Sequence, residues 1–383
     1  MLAITNATIY TPSDSHADTA VLIQNGRITK LCPTADLAIP TNAQLIDAAG
    51  HLLVPGYIDL QLNGAFGHDF TADPQTIWPV SAKLPRYGVT AYLPTIITSP
   101  LENIKRARQV LLEQRPSAYR GAEPLGLHIE GPFLNPRKKG AHNPAYLQAP
   151  DTAHLAGWSP AGGVRLVTLA PELPGAIPVI ETLAASGVVV SAGHSMATYD
   201  EAMAGIAAGV RYGTHLFNAM SSIGHRQPGL PGALLSSPDC VTGLIPDGIH
   251  VHPALIKLIW SAKGSAGLNL VSDAMGALGM PPGKYILKDF EVTVTDKDSR
   301  LADGTLAGSV LPIDQALRKL ISYTGCSLPE ALATITTTPA KLLNIDDQRG
   351  QIAPGLIADL LLLTPDLQVA TTIAAGEIVY EQT

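Results

Sequence analysis

The chain has 383 residues and a formal net charge of −7, and it is 46% hydrophobic but only 15% charged. A chain this apolar can bury a large core, which excludes an intrinsically disordered protein, and its acidic balance argues against a nucleic-acid partner. No run approaches the roughly 18 apolar residues of a membrane span. The start MLAITNATIY also lacks the basic and apolar regions of a secretory signal. We therefore expect a cytoplasmic protein with no membrane partner, and its three widely spaced cysteines are typical of buried, reduced thiols.

Short β-strands are predicted at both ends of the chain. Near the start, Asn25-Gly26 separates two apolar runs, which is typical of a hairpin with a two-residue turn. Near the end, Ala358–Thr364 and Ala375–Tyr380 have the same short-stranded character. No linker signal separates either end from the middle. We therefore expect residues 1–54 and 352–383 to pair into one small β-sandwich domain.

The middle of the chain, residues 55–351, alternates short apolar runs with longer helical stretches. The predicted strands are Tyr57–Leu62, Thr90–Ile97, Leu125–Glu130, Val164–Leu169, Val188–Ala192, Val210–His215, Gly243–Pro246 and Leu268–Asp273. The predicted helices include Leu101–Arg115, Ile177–Ser186, Tyr199–Ala208 and Pro253–Lys263. This alternation indicates an α/β fold with a parallel sheet, and eight units favour a closed TIM-like (β/α)₈ barrel over an open doubly wound sheet. No glycine-rich nucleotide-binding motif lies at a strand–helix junction.

Polar side chains follow the predicted barrel strands at their carboxyl ends, the rim where barrel active sites form. They are Gln61, Asn63, Thr95, His128, Glu130, Glu172, His194, His215, Asp247, His250 and Asp273. A rim with histidines, carboxylates and little apolar surface is typical of a metal-dependent hydrolase.

Each rim residue has a simpler structural interpretation. A single histidine at a strand end means little, but His194 and His215 close successive strands, which favours a pair of ligands. Glu130 ends an apolar strand, where a carboxylate is costly unless it is paired or bound to a cation. The simpler interpretation of Asp273 is a helix N-cap. His128 is a candidate for a residue that supports a metal ligand rather than for a ligand itself.

Several motifs carry a resemblance to a known family. Val54-Pro-Gly-Tyr-Ile-Asp59 resembles the first barrel strand of the amidohydrolase superfamily, with Gln61-Leu-Asn63 in place of the usual His-x-His pair. The ordered set of motifs resembles the N-acetylglucosamine-6-phosphate deacetylase family over nearly the whole chain. The set comprises Leu127-His-Ile-Glu-Gly-Pro132, Ser191-Ala-Gly-His194, Thr214-His-Leu-Phe-Asn-Ala-Met220, Gly224-His-Arg-Gln-Pro-Gly229, Asp247-Gly-Ile-His250, Leu270-Val-Ser-Asp-Ala274 and Gly304-Thr-Leu-Ala-Gly-Ser309.

The resemblance implies a role for five residues. Glu130, His194 and His215 match the family's ligands for one divalent metal ion, an open set that is typical of catalytic zinc. Asp273 matches the catalytic aspartate, which acts as general base on the metal-bound water and then as general acid. His142 matches a histidine that polarises the acetyl carbonyl, although without the resemblance we would interpret it as a surface-loop residue.

The resemblance also implies a binding site for an amino-sugar phosphate. Arg226 and His250 match the family's phosphate contacts, and arginine suits phosphate because its planar group donates two parallel hydrogen bonds. The remaining residues that match substrate contacts are Ala141, Asn218, Ala219, Leu306, Ala307 and Gly308. Family sites lie near a dimer interface, so we expect a homodimer in which part of the phosphate site comes from the second subunit. The long stretch from 132 to 162 is a candidate lid.

The metal count departs from the commonest superfamily pattern. Gln61 and Asn63 stand where a second ion would need imidazoles, and neutral amides bind zinc or iron far less readily. We therefore expect one ion per subunit, with zinc favoured over iron or another divalent metal, and expect both amides to contact water or substrate. The predicted reaction is hydrolysis of N-acetylglucosamine 6-phosphate to glucosamine 6-phosphate and acetate. The alternatives are the same reaction on the N-acetylgalactosamine epimer and a non-catalytic scaffold.

Overall fold

The structure is a computed structural model that describes residues 1–11, 15–48 and 50–382. Residues 12–14, 49 and 383, which belong to the predicted β-sandwich segments, lie outside the described residues. Among the described residues, no helix has the length and apolar character needed to cross a membrane.

Strands from both ends of the chain share one sheet, which we call the terminal sheet. Its strands are Leu2–Tyr10, Ser15–Gln24, Arg27–Pro33, Gln44–Asp47, Leu52–Pro55, Leu360–Leu363, Val369–Ala374 and Glu377–Glu381. Leu52–Pro55 pairs with the first strand on one side and with Leu360–Leu363 on the other, which joins the two ends of the chain. The predicted hairpin is confirmed, since Asn25 and Gly26 both have the positive φ that its turn requires.

Side chains alternate across the terminal sheet. Leu360 and Leu362 pack into a core that the terminal strands build among themselves, together with Ile4. Leu361 and Leu363 belong instead to the large core of the barrel. This period of two follows from the pleat of a β-strand. It joins the sandwich to the barrel core, to which Val54 and Val369 of the neighbouring strands also belong. The boundaries 1–54 and 352–383 stay a prediction for the extent of this domain.

Eight parallel strands form the barrel, so the predicted fold class is confirmed. They are Tyr57–Leu62, Val89–Ile97, Leu127–Glu130, Val164–Leu169, Val189–Ala192, Val210–Gly213, Val241–Leu244 and Leu268–Leu270. The first and last strands meet where the Asp273 N–H donates to the Gln61 carbonyl at 2.9 Å and the Asn63 N–H donates to the Ala274 carbonyl at 2.8 Å.

The α-helices of the described residues run Ile77–Ser81, Leu101–Glu113, Ala176–Ala185, Tyr199–Ala208, Gly229–Ser236, Pro253–Lys263, Ile313–Thr324, Leu328–Ala333 and Thr337–Leu342. The bounds predicted for Tyr199–Ala208 and Pro253–Lys263 are confirmed. Tyr199–Ala208 begins at a capping box of Thr198 and Glu201, a sequence signal that fixes a helix start.

Several predicted strand bounds were wrong, and one element was not predicted. The strand predicted at Leu125–Glu130 runs Leu127–Glu130, and the one predicted at Val210–His215 runs Val210–Gly213. The strand predicted at Gly243–Pro246 runs Val241–Leu244, and the one predicted to end at Asp273 ends at Leu270. An antiparallel sheet of Gly283–Leu287, Phe290–Val294 and Ser299–Arg300 was not predicted. We call residues 283–308 the rim insert. Smaller strand pairs are Gly64–Ala65 with His68–Asp69, and Glu123–Pro124 beside the second barrel strand.

The predicted loop 132–162 contains three single turns of 3₁₀ helix, at Pro136–Lys138, Pro144–Tyr146 and Thr152–Leu155. Each of these turns starts from an Asn or Asp whose side chain accepts the backbone N–H two residues later. The cysteines are unpaired thiols as predicted; Cys240 and Cys326 are buried, whereas Cys32 is partly exposed.

Candidate active site

Three side chains with metal-ligand chemistry meet at the barrel rim. Glu130 is the last residue of its strand, and His194 and His215 each follow the end of a later strand by two residues. Glu130 Oε1 lies 3.2 Å from His194 Nε2 and 3.0 Å from His215 Nε2. The two Nε2 atoms are 3.0 Å apart, and all three side chains are buried.

The tautomer of His194 favours cation binding. Its Nδ1 donates to the Lys138 carbonyl at 2.8 Å, and because a carbonyl oxygen can only accept, the ring proton lies on Nδ1. The Nε2 lone pair is therefore directed at Glu130 and His215. Candidate ligand atoms of the three residues lie within 4.8 Å of one another. Two imidazole nitrogens and a carboxylate oxygen in this arrangement fit a divalent ion of the zinc type.

The charge at Glu130 supports the same conclusion. Burial alone would raise the pKa of this carboxyl group, but the neighbouring imidazoles of His194 and His215 outweigh burial and hold the pKa well below its usual range. Glu130 is thus a buried carboxylate anion, and such a charge requires cationic or hydrogen-bonding partners.

The backbone turns sharply at the site residues. His194, His215 and Asp273 have φ values of 49°, 26° and 47°, in the left-handed region that non-glycine residues rarely occupy. Each of these residues lies two or three positions beyond the end of its barrel strand. Strain of this kind persists only where the surroundings hold it, and it is common at active sites.

Asp273 lies beside the metal-ligand cluster. The amide of Asn63 donates to Asp273 Oδ1 at 2.8 Å, and both side chains are buried. Burial, followed by the nearby Glu130 carboxylate, raises the pKa of Asp273 above its usual value. Asn63 therefore fixes one oxygen of a carboxylate that has an increased tendency to take a proton. The predicted contact of Asn63 with water or substrate stays a prediction.

His142 lies on the loop after the third strand and is buried rather than exposed. Its Nδ1 lies 3.3 Å from the Thr98 backbone N–H, which can only donate, so the ring proton lies on Nε2. Nε2 is 3.8 Å from Glu130 Oε2. Burial and the neighbouring His194 lower the pKa of His142 to about 3. The ring is therefore a neutral donor that faces the cluster.

Gln61 lies beneath the cluster. Its Nε2 donates to Glu130 Oε1 at 3.1 Å, and its Oε1 accepts from the Thr214 hydroxyl at 2.6 Å. The carboxylate can only accept, which fixes the orientation of the amide. Gln61 is fully buried and does not line the pocket, so in this structure it contacts a ligand residue where a contact with water or substrate was expected.

The cluster opens into a pocket of about 460 Å³, within the usual range for small-molecule sites. Of the residues predicted to contact substrate, the pocket is lined by Asn63, Ala141, His142, Asn218, Ala219, His250, Leu306 and Gly308. Ala307, itself part of the rim insert, is instead buried in the small core that the insert forms with Met275 and Ile97. Arg226 is exposed and lines a different surface groove, away from the pocket of its own chain.

His250 is held by a neighbouring carboxylate. Asp247 Oδ2 lies 2.6 Å from His250 Nδ1, and Asp247 Oδ1 accepts the backbone N–H groups of Ile249 and His250 at 2.8 Å each. The Nδ1 proton is thereby fixed, which leaves Nε2 for the pocket. The sequence placed both residues on the rim but did not pair them.

Three cations that line the pocket were missed as site residues: Arg137, Lys138 and Arg300. The run from Arg137 to Lys139 was visible as part of a long loop, yet nothing in it distinguished a pocket wall from a solvated loop. Arg300 belongs to the rim insert, which was not predicted. The pocket is therefore more basic than the net charge of the chain suggests.

The family follows from comparison with known proteins. The Amidohydrolase family matches residues 52–379, and the NagA composite domain matches residues 1–53. The chain therefore belongs to the amidohydrolase family.

Several relatives that match most of the chain have the same name. The chain is 39% identical to N-acetylglucosamine-6-phosphate deacetylase of Rattus norvegicus, over 88% of this chain and 85% of the relative, and 36% identical to that of Bacillus subtilis, over 99% and 97%. The crystal structure of the Pasteurella multocida deacetylase matches with a TM-score of 0.92 at 35% identity, with all of both chains covered. A Mycobacterium smegmatis structure in complex with N-acetyl-D-glucosamine-6-phosphate matches with a TM-score of 0.90 at 32% identity, over 99% of each chain. The predicted membership of the N-acetylglucosamine-6-phosphate deacetylases is confirmed.

Proposed function

We propose that the chain hydrolyses N-acetyl-D-glucosamine 6-phosphate to D-glucosamine 6-phosphate and acetate. The observation that carries the proposal is the convergence of Glu130, His194, His215, Asp273 and His142 on one pocket. Its volume suits a hexose phosphate, and relatives of the same name match the chain over most of its length.

Glu130, His194 and His215 would hold one divalent ion, for which the donor set favours zinc, with iron as the nearest alternative. Such an ion supplies Lewis acidity and lowers the pKa of water towards about 7. The residues on the first strand that would have to hold a second ion are Gln61 and Asn63. The Gln61 oxygen already accepts from Thr214, and the Gln61 and Asn63 NH₂ groups donate to Glu130 and Asp273. Since a neutral amide oxygen binds zinc less readily than an imidazole nitrogen does, these residues support a count of one ion per chain.

Asp273 is the general base and then the general acid. With Oδ1 held by Asn63, its carboxylate accepts a proton as water attacks the acetyl carbonyl. The same group then gives a proton to the departing sugar amine, so the carboxylate is regenerated. Its raised tendency to bind a proton suits a group that must both take and return one.

His142 donates from Nε2 to the carbonyl oxygen as negative charge develops there. Because the Thr98 N–H occupies Nδ1, the donor proton is in place before substrate arrives. A preorganised donor of this kind stabilises the transition state more than the ground state.

The phosphate would be held from two chains. His250, Asn218 and Ala219 line the pocket, whereas Arg226 is exposed elsewhere. We infer a homodimer in which Arg226 of one subunit reaches the pocket of the other. Ile223, three residues before Arg226, exposes 53% of its surface, as an interface residue would in a single chain. Leu306 and Gly308 lie against the sugar, and Ala141 lies beside His142.

Acetate release from N-acetylglucosamine 6-phosphate, N-acetylgalactosamine 6-phosphate and unphosphorylated N-acetylglucosamine, with metal content determined on the same protein, tests the proposal. We expect release from the first substrate and about one equivalent of metal per chain. Preference for the galactosamine epimer would correct the substrate, and absence of both metal and acetate release would indicate a non-catalytic scaffold. Fractionation of the host cells tests the cytoplasmic location that we propose.

A further inference from the structure

Glu172 is a rim carboxylate to which the proposed reaction assigns no role. It lies in the loop after the strand Val164–Leu169 and does not line the pocket. Its Oε1 accepts from Asn135 Nδ2 at 2.9 Å and from the Met196 backbone N–H at 2.7 Å, and its Oε2 accepts from the Ser195 hydroxyl at 2.7 Å. One carboxylate therefore joins the loops after the third, fourth and fifth strands. Hydrogen bonds to an ionised acceptor are stronger than hydrogen bonds between two neutral groups.

The two loops that Glu172 holds carry the site. Ser195 and Met196 directly follow His194, and Asn135 begins the pocket wall that includes Lys138 and His142. The loops are also joined to each other, since the Asn135 N–H donates to the His194 carbonyl at 2.9 Å and His194 Nδ1 donates to the Lys138 carbonyl at 2.8 Å. A shift of Asn135 would therefore move the carbonyl that sets the ring of His194.

We propose that Glu172 is a positioning residue that fixes His194 and the wall 135–142 for metal binding. The proposal rests on the proposed metal-dependent function. His194 has a φ of 49°, a conformation that requires support from its surroundings. Two of the three hydrogen bonds to Glu172 come from Ser195 and Met196, the residues that directly follow His194. Groups that orient a metal ligand without touching the metal commonly change metal affinity 10- to 100-fold.

The test is a Zn²⁺ titration of metal-stripped protein against a chromophoric chelator, which measures affinity without activity. We expect Glu172→Ala to weaken Zn²⁺ binding by about 10-fold or more. Glu172→Gln should stay within a few-fold of wild type, because its carbonyl can take both bonds of Oε1 and its amide can donate to the Ser195 oxygen. Ser195→Ala removes one of the three bonds to Glu172, together with the bond that the Ser195 oxygen accepts from the Ala197 N–H, and its affinity should lie between them. Glu181→Gln, an exposed glutamate on the next helix, is the matched control and should change nothing.

Thermal unfolding of the same metal-free variants separates positioning from simple stabilisation. If Glu172→Ala unfolds at a lower temperature but binds Zn²⁺ with wild-type affinity, the proposal is overturned. If Glu172→Ala does not fold, wild-type Zn²⁺ affinity in Ser195→Ala overturns it instead. A glutamine variant as weak as the alanine variant would also contradict it. A wild-type chain that binds no Zn²⁺ would overturn the proposed function itself, whereas binding that all variants share would overturn only the role of Glu172.

Discussion

The reaction end of the pocket and its phosphate end are built differently. Around Glu130 the side chains are buried and closely spaced: the Gln61 amide donates to Oε1, and the Nε2 atoms of His194 and His215 lie 3.2 Å and 3.0 Å from the same oxygen. At the other end Asn218 is only partly buried, and Arg226 is exposed in a different groove. The difference is consistent with our proposal that one chain assembles the groups for chemistry, whereas recognition of the 6-phosphate requires Arg226 of a second copy. The following variants test each end, from the largest expected effect to the smallest.

Removal of a histidine ligand should have the largest effect. His194→Ala or His215→Ala leaves two donors, too few for a stable zinc site. After extensive dialysis, we expect elemental analysis to give near-zero metal per chain and acetate release to fall to background. Retention of the ion by the His194 variant, or two equivalents in the wild type, would show that the ligand set is wrong.

Asp273→Asn should separate chemistry from metal binding. The asparagine keeps the shape and an oxygen for the Asn63 amide but cannot take a proton, so kcat should fall by roughly 10²–10⁴. Metal content should match that of wild type. Activity within a few-fold of wild type would assign Asp273 to an orienting role and require another base.

Arg226→Ala should affect only the phosphate end. Loss of a charge-assisted contact costs about 1.5–3 kcal/mol, so kcat/KM for the 6-phosphate substrate should fall about 10- to 150-fold. Hydrolysis of unphosphorylated N-acetylglucosamine should hardly change. Equal losses on both substrates would mean that Arg226 supports the fold.

Mixed dimers test whether Arg226 acts across the interface. Dimers of an Arg226→Ala chain with an Asp273→Asn chain contain one site with an intact Asp273 and the partner's intact Arg226. Co-expression of the two variants should therefore restore part of the activity that each has lost. No gain over the separate variants would place Arg226 and Asp273 in the same chain's site or rule out the dimer.

Gln61→Ala should have the smallest effect. Glu130 loses one of its hydrogen bonds but keeps both histidines, so we expect one ion to remain bound, with affinity about 10-fold weaker. Chelator competition would measure the change, and Thr214→Val, which removes only the bond to Gln61, should change the affinity less. Loss of the ion in Gln61→Ala would mean that Gln61 is itself a ligand.

The sequence predicted the barrel well because its strands are local apolar runs and its helices have local start signals such as Thr198. It failed at the strand ends. The regular part of the last barrel strand stops at Leu270, and the chain passes through a positive φ at Asp273 while it still bonds to the first strand. Such turns at non-glycine residues are held by tertiary contacts, and a single sequence does not show those contacts.

The rim insert was missed for a related reason. Its strands have at most five residues, and Phe290–Val294 alone alternates apolar with polar side chains. The apolar side chains of Leu287 and Val292 share a small core with Met275, which follows the last barrel strand. Only that contact gives the pattern a buried face. Likewise, motif order located Arg226 in the chain but could not show that it lies away from its own pocket.

The left-handed turns at His194 and His215 affect how the protein would respond to selection for heat resistance. A non-glycine residue at such a turn lowers the free energy of unfolding by about 1 kcal/mol or more. Substitution by glycine would remove this cost, but it would also remove the histidine side chain. Substitutions that raise the melting temperature should therefore include some that abolish activity, because function here is maintained against local stability. A thermostability screen of this chain needs a parallel activity screen, or it will enrich inactive variants.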